Sequence, residues 1–137
     1  MDPRALPGVA ICVRALPPGE EQSPFAHAVL DGIRGEYPFT SISHSGHLIA
    51  AAAADRPVGI DVEATKPGRP WRAIAIRTWG SEPASEKEFY ELWTLHEALF
   101  KARGEGLSSA NCQLPTWIVT PLQTPPDYKG TLVVEKS

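Results

Sequence analysis

Residues 58–63 read VGIDVE, a stretch in which bulky apolar positions alternate with other residues. A period of two is that of a β-strand, so Val58, Ile60 and Val62 fall on one face and Asp61 and Glu63 share the other. Two carboxylates therefore stand side by side. Upstream, TSISHSG (residues 40–46), LIAAAAA (residues 48–54) and a turn at ADRP lead into this strand, and together they read as a β-hairpin. Alanine favours helix on propensity alone. Pro57 and the flanking β-formers enclose a run short for a helix, which favours strand.

Outward from this centre the remaining elements follow. GVAICVRA (residues 8–15) is a short β-branched strand that ends at LPPGEEQ. A helix follows, with Ser23 as cap, Pro24 in the first turn, Phe25, Val29 and Ile33 on the core face, and Gly35 as stop. Pro67, Gly68 and Pro70 mark a loop, and WRAIAIRTW (residues 71–79) is open between helix and strand. The next helix starts at a capping box formed by Ser85 and Glu88. Phe89, Leu92, His96, Leu99 and Phe100 carry its apolar stripe, and Gly104 and Gly106 end it. TLVVE near the C-terminus reads as a final strand, and no internal repeat is visible.

The chain has 137 residues, 42% of them hydrophobic, which suits one folded domain. No run approaches the ~18 apolar residues of a membrane span, and MDPRALPG has no signal-peptide pattern, so the expected location is the cytoplasm. A net charge of −3 argues against bulk electrostatic binding to nucleic acid or to an anionic membrane. Cys12 and Cys112 match no metal-ligand spacing and read as reduced thiols. The fourteen prolines punctuate the chain without forming a low-complexity tract.

The chemistry concentrates in WTLHEALFK, residues 93–101. Glu97 lies beside the apolar stripe, where a lone carboxylate is costly to desolvate. If this helix packs across the strand of Asp61 and Glu63, three carboxylates converge, and they need protonation, a basic neighbour or a cation. Oxygen ligands of this kind favour Mg²⁺, with phosphate oxygens as further ligands, and Lys101 one turn on would reach the same phosphates. The plainer readings are a solvated strand face and a surface Glu-Lys pair. Ser43-His44 alone could equally be a turn with hydroxyls bonding the backbone.

Taken in order, SISHSG, GIDVE and WTLHEALFKARGEGL resemble the motifs of the 4'-phosphopantetheinyl transferase superfamily. They are more similar to its long, two-lobed, surfactin-synthetase-activating type than to its short trimeric type. The resemblance runs from about Thr40 to Ser108. It implies an α+β fold of two small pseudo-symmetric lobes, each a short antiparallel sheet with a packed helix, at about residues 1–57 and 58–137 of a single domain. It also implies transfer of the phosphopantetheine arm of coenzyme A to a serine of an apo acyl or peptidyl carrier protein, with release of 3',5'-ADP. Asp61, Glu63 and Glu97 would hold Mg²⁺. Ser43, His44, His96 and Lys101 would contact coenzyme A, with His44 near its 3'-phosphate, and Glu97 and Lys101 would serve the chemistry. Trp93 would anchor the helix in the core.

Two departures accompany the resemblance. His96 stands where the family has a lysine, and the chain is short for a two-lobed member, with only Arg4 and Arg14 as basic residues in its first thirty positions. Lys66, Arg69, Arg72 and Arg77 are the local concentration of basic residues that could meet an acidic carrier, or else a solvated loop. A non-catalytic binder of coenzyme A or carrier is the rival function. A metal-dependent phosphodiesterase is the more distant one.

Overall fold

The computed structural model describes residues 6–104 and 116–136; Arg4, Gly106 and Cys112 lie outside them. Four elements make the first lobe: β1 (Val9–Ala15), α1 (Gln22–Arg34), β2 (Phe39–Ser45) and β3 (Leu48–Ala54). The second contains β4 (Val58–Ala64), α2 (Trp71–Trp79), α3 (Glu86–Arg103), β5 (Trp117–Pro121) and β6 (Tyr128–Glu135). The antiparallel sheets have the orders β1-β3-β2 and β4-β6-β5, so in each lobe the last strand inserts between the other two. The architecture is the α+β, two-lobed one. The repeat absent from the sequence is present in the topology, because strand order depends on which faces are apolar and not on which residues make them so.

The alanine run is the central strand of the first sheet, and all of it is buried. Ala50, Ala52 and Ala54 face Val58, Ile60, Val62, Leu132 and Val134 of the second sheet. On the other side Ile49, Ala51 and Ala53 meet Ala26, Val29 and Leu30 of α1. A strand covered on both faces is continuously apolar, and methyl side chains let helix and second sheet close on it together. The layers are thus helix, sheet, sheet, helix, with α3 outermost through Ala98 and Leu99 against Trp117 and Val133.

Several local expectations need correction. The hairpin is β2–β3, turning at Gly46 with φ +57°. β4 does not pair with β3 but crosses to the second sheet and pairs with β6. The crossing is held by Arg56, which donates to Glu135 O at 2.7 Å and Pro7 O at 3.0 Å. α1 begins one residue before Ser23 and has no side-chain cap bond. WRAIAIRTW is a helix, whose Trp71 and Ala75 pack on Phe89 and Tyr90 of α3. β5 lies in the segment whose prolines hid it, and its edge position tolerates Pro121. α3 matches its signals: Ser85 Oγ accepts from Glu88 N at 3.1 Å, and Gly104, left-handed at φ 72°, donates to Phe100 O at 2.7 Å.

Gly59 sets how close α3 comes. A Cβ there would overlap the Ala98 carbonyl oxygen and stand 2.9 Å from Ala102 N, both helix backbone. Backbone cannot rotate away as a side chain can. We expect Gly59→Ala to cost about 3 kcal/mol or more, the upper end for overpacking, seen as a large fall in melting temperature; a melt matching the wild type would contradict this packing.

Candidate functional site

β2, β4 and α3 meet at the seam between the lobes and enclose a cleft of about 370 Å³. Ser43, His44, Asp61, Glu63, Glu97 and Lys101 all line it, with Trp93 as a wall. Three sequence segments thus bring their candidates to one place. Asp61 and Glu63 share a strand face, as the period of two requires, but α3 covers that face, so Asp61 is only 7% exposed.

Asp61 is gripped by one oxygen. Its Oδ1 accepts from Lys101 Nζ at 3.1 Å and from Ser43 Oγ at 3.1 Å, while the buried Oδ2 has no hydrogen-bond partner among the described residues. Lys101 Nζ also donates to Ile42 O at 3.1 Å and Ile60 O at 3.0 Å. These carbonyls belong to the facing edges of the two sheets, so one ammonium spans the seam with an acceptor for each of its three hydrogens. Glu63 accepts from Arg69 Nη1 at 3.1 Å, and the guanidinium lies over the Tyr90 ring, 5.5 Å from its centroid.

Burial raises the Asp61 carboxyl to about 7, against the pull of Lys101 and with a further push from Glu97. Burial also raises Glu97, opposed by Lys101 and assisted by Glu63. His96 is lowered by burial. Its ring packs on Trp79, centroids 5.4 Å apart, and it is absent from the residues that line the cleft. One residue turns a helix by ~100°, so His96 and Glu97 face different surroundings. Trp93 packs on Phe89 and Trp79 with centroids 5.9 and 6.2 Å apart, and so acts both as core anchor and as cleft wall.

Among the described residues no group of three His, Cys, Asp or Glu side chains stands close enough to hold a metal ion. The expected convergence is present as the lining of one cleft, while Lys101 and Arg69 neutralise two of its carboxylates. The donor set nonetheless suits a hard divalent cation: three carboxylates, one with a buried oxygen lacking a donor. Of the basic positions considered for a carrier surface, Arg69 turns in to Glu63, and Arg72 bonds Glu82 at 2.8 Å and lies over Trp71. Sequence reasoning missed Arg69 as the partner of Glu63. It also missed Ser41 and Ser45, although the SxSxS alternation signals three hydroxyls on one strand face. Cys12 is a free, partly buried thiol of the first lobe.

Residues 57–129 match the model of the 4'-phosphopantetheinyl transferase superfamily. The chain belongs to that family. It is 38% identical over 76 residues to the 4'-phosphopantetheinyl transferase psf-1 of Bacillus pumilus, a match covering 50% of this chain and 33% of that protein. Over 76 residues it is 36% identical to 4'-phosphopantetheinyl transferase Sfp of Bacillus subtilis (strain 168), covering 50% and 34%. With 4'-phosphopantetheinyl transferase AcpT of Salmonella typhimurium it is 30% identical over 142 residues, covering 81% and 71%. The chain thus spans about a third of the length of the Bacillus relatives it matches. Among the described residues no helix is long and apolar enough to cross a membrane.

The raised carboxyl of Asp61 makes stability depend on pH with a definite sign. Between its ordinary 3.8 and about 7 the folded chain keeps a proton that the unfolded chain has released. This stabilising contribution is full below pH 3.8 and is lost as pH rises through about 7. In chelator, Asp61→Asn should therefore gain melting temperature relative to wild type as pH rises from 4 to above 7, and a gap independent of pH would contradict the shift.

Proposed function

We propose that the chain is a single domain of two lobes that transfers the 4'-phosphopantetheine arm of coenzyme A to a serine hydroxyl of an apo acyl or peptidyl carrier protein. The observation that carries this reading is the cleft itself, in which Asp61 keeps one oxygen without a donor beside Glu63 and Glu97. Asp61, Glu63 and Glu97 would hold Mg²⁺. When bound, the ion offsets the pyrophosphate charge and polarises the phosphorus under attack. The serine oxygen forms a bond to that phosphorus, the bond to the bridging pyrophosphate oxygen breaks, and 3',5'-ADP leaves. Glu97 is the candidate to take the serine proton, directly or through water. His44, exposed on the edge of β2 at the cleft, suits the 3'-phosphate. Lys101 acts by its field, since its hydrogens are engaged at the seam.

A specific observation favours a second reading. Lys101 on Asp61 and Arg69 on Glu63 already neutralise two of the three carboxylates, as would suit a non-catalytic binder of coenzyme A or carrier. The two differ in product, because the enzyme alone generates 3',5'-ADP. Intact-mass spectrometry of a panel of apo carrier proteins incubated with this chain, coenzyme A and Mg²⁺ should show the added arm. Glu97→Gln should slow the addition by about 10²-fold or more, the usual contribution of a general base. No addition to any carrier and no 3',5'-ADP would shift the reading to the binder.

A further inference from the structure

We infer that Ser43 is a positioning residue for Asp61, and that through it the docking of the two lobes sets the carboxylate that lines the cleft. The inference rests on the reading of the cleft given above and adds a role for one of its residues.

Ser41, Ser43 and Ser45 alternate along β2 and so point to one side of it. Each hydroxyl oxygen accepts from a backbone N–H of β4: Ser41 from Ile60 at 3.0 Å, Ser43 from Val62 at 3.0 Å and Ser45 from Ala64 at 2.9 Å. β4 is the edge strand of its sheet. In an antiparallel pair alternate N–H groups point away from the partner strand, and these three are the ones β6 leaves without a strand. The serines thus form three rungs that join the lobes without a strand ladder.

A hydroxyl has one hydrogen to give. That of Ser43 is directed to Asp61 Oδ1 at 3.1 Å, with the Val62 carbonyl farther off at 3.5 Å. Ser43 is 6% exposed, its hydrogen given to Asp61 and its oxygen accepting from Val62 N. Lys101 meets the same Oδ1. Two donors on one oxygen fix the plane of the carboxylate and leave Oδ2 as the oxygen it can offer. Among the described residues, the middle rung alone reaches a carboxylate. Ser41 makes the same backbone contact without touching Asp61, which makes it an internal control.

The test is Mn²⁺ binding to the full chain, followed by electron paramagnetic resonance, in wild type, Ser43→Ala and Ser41→Ala. Both variants lose one rung and should melt lower, Ser43→Ala by more because the bond to buried Asp61 goes with it. Ser43→Ala should also weaken Mn²⁺ binding about tenfold or more, as loss of a ligand's supporting hydrogen bond does, while Ser41→Ala binds like wild type. Equal Mn²⁺ affinity in Ser43→Ala and wild type would overturn the inference, as would an equal loss in Ser41→Ala. Should Ser43→Ala not fold, amide exchange in the wild type decides. Mg²⁺ should slow exchange at Val62 more than at Ile60 and Ala64, and equal or no slowing overturns the inference. A wild type that transfers the arm while Ser43→Ala binds Mn²⁺ unchanged removes this role and leaves the function standing. A wild type that neither binds Mn²⁺ nor transfers the arm removes both.

Discussion

The fold and the site meet at the Lys101 ammonium. It lies where the edges of two sheets come together and takes one carbonyl from each, Ile42 and Ile60, while holding the carboxylate of Asp61. An aspartate at 7% exposure is tolerable only with such company, because desolvating an unpaired charge costs several kcal/mol. Lys101 reaches that point because α3 lies close on β4, and α3 lies close because position 59 has no side chain to hold it off. A glycine, a helix position and a buried acid are thus one arrangement. Loss of any of them would expose or strand the others.

The same dependence explains which parts of the molecule the sequence disclosed. The alternation in VGIDVE assigned the strand and both faces, and the capping box and Gly104 marked α3 correctly, since these signals are local and have local causes. Pairing is not local. The β6 partner of β4 starts at Tyr128, and nothing near Asp61 announces it, so contiguous strands suggested a β3–β4 hairpin that the two-sheet arrangement does not contain. α2 was ambiguous because its apolar residues face a helix and not a sheet, and β5 went unread because Pro121 reads as a breaker where an edge strand accepts it.

The site was legible by type more than by pairing. Residue chemistry picked out the three carboxylates and Lys101, and they line one cleft. The partners that neutralise them, Arg69 for Glu63 and a hydroxyl for Asp61, depend on loop path and strand docking. His96 is instructive: helical spacing put it on the apolar stripe, whereas family likeness put it beside the phosphates. The structure gives it Trp79 as a neighbour, in keeping with the spacing.

Chemically, the cleft gathers three carboxylates, two of them paired with Lys101 and Arg69. Asp61 and Glu97 are both pushed toward neutrality by burial, and a pyrophosphate brought into the same space would meet carboxylates. A divalent ion held by these carboxylates would offset that repulsion, so the proposed function makes anion binding conditional on it. Calorimetric titration of coenzyme A into the full chain, once with Mg²⁺ and once with chelator, tests this most directly. The account expects binding with Mg²⁺ and little or none in chelator. Equal affinity in both would mean that coenzyme A does not bind against these carboxylates, and would contradict the account at its centre.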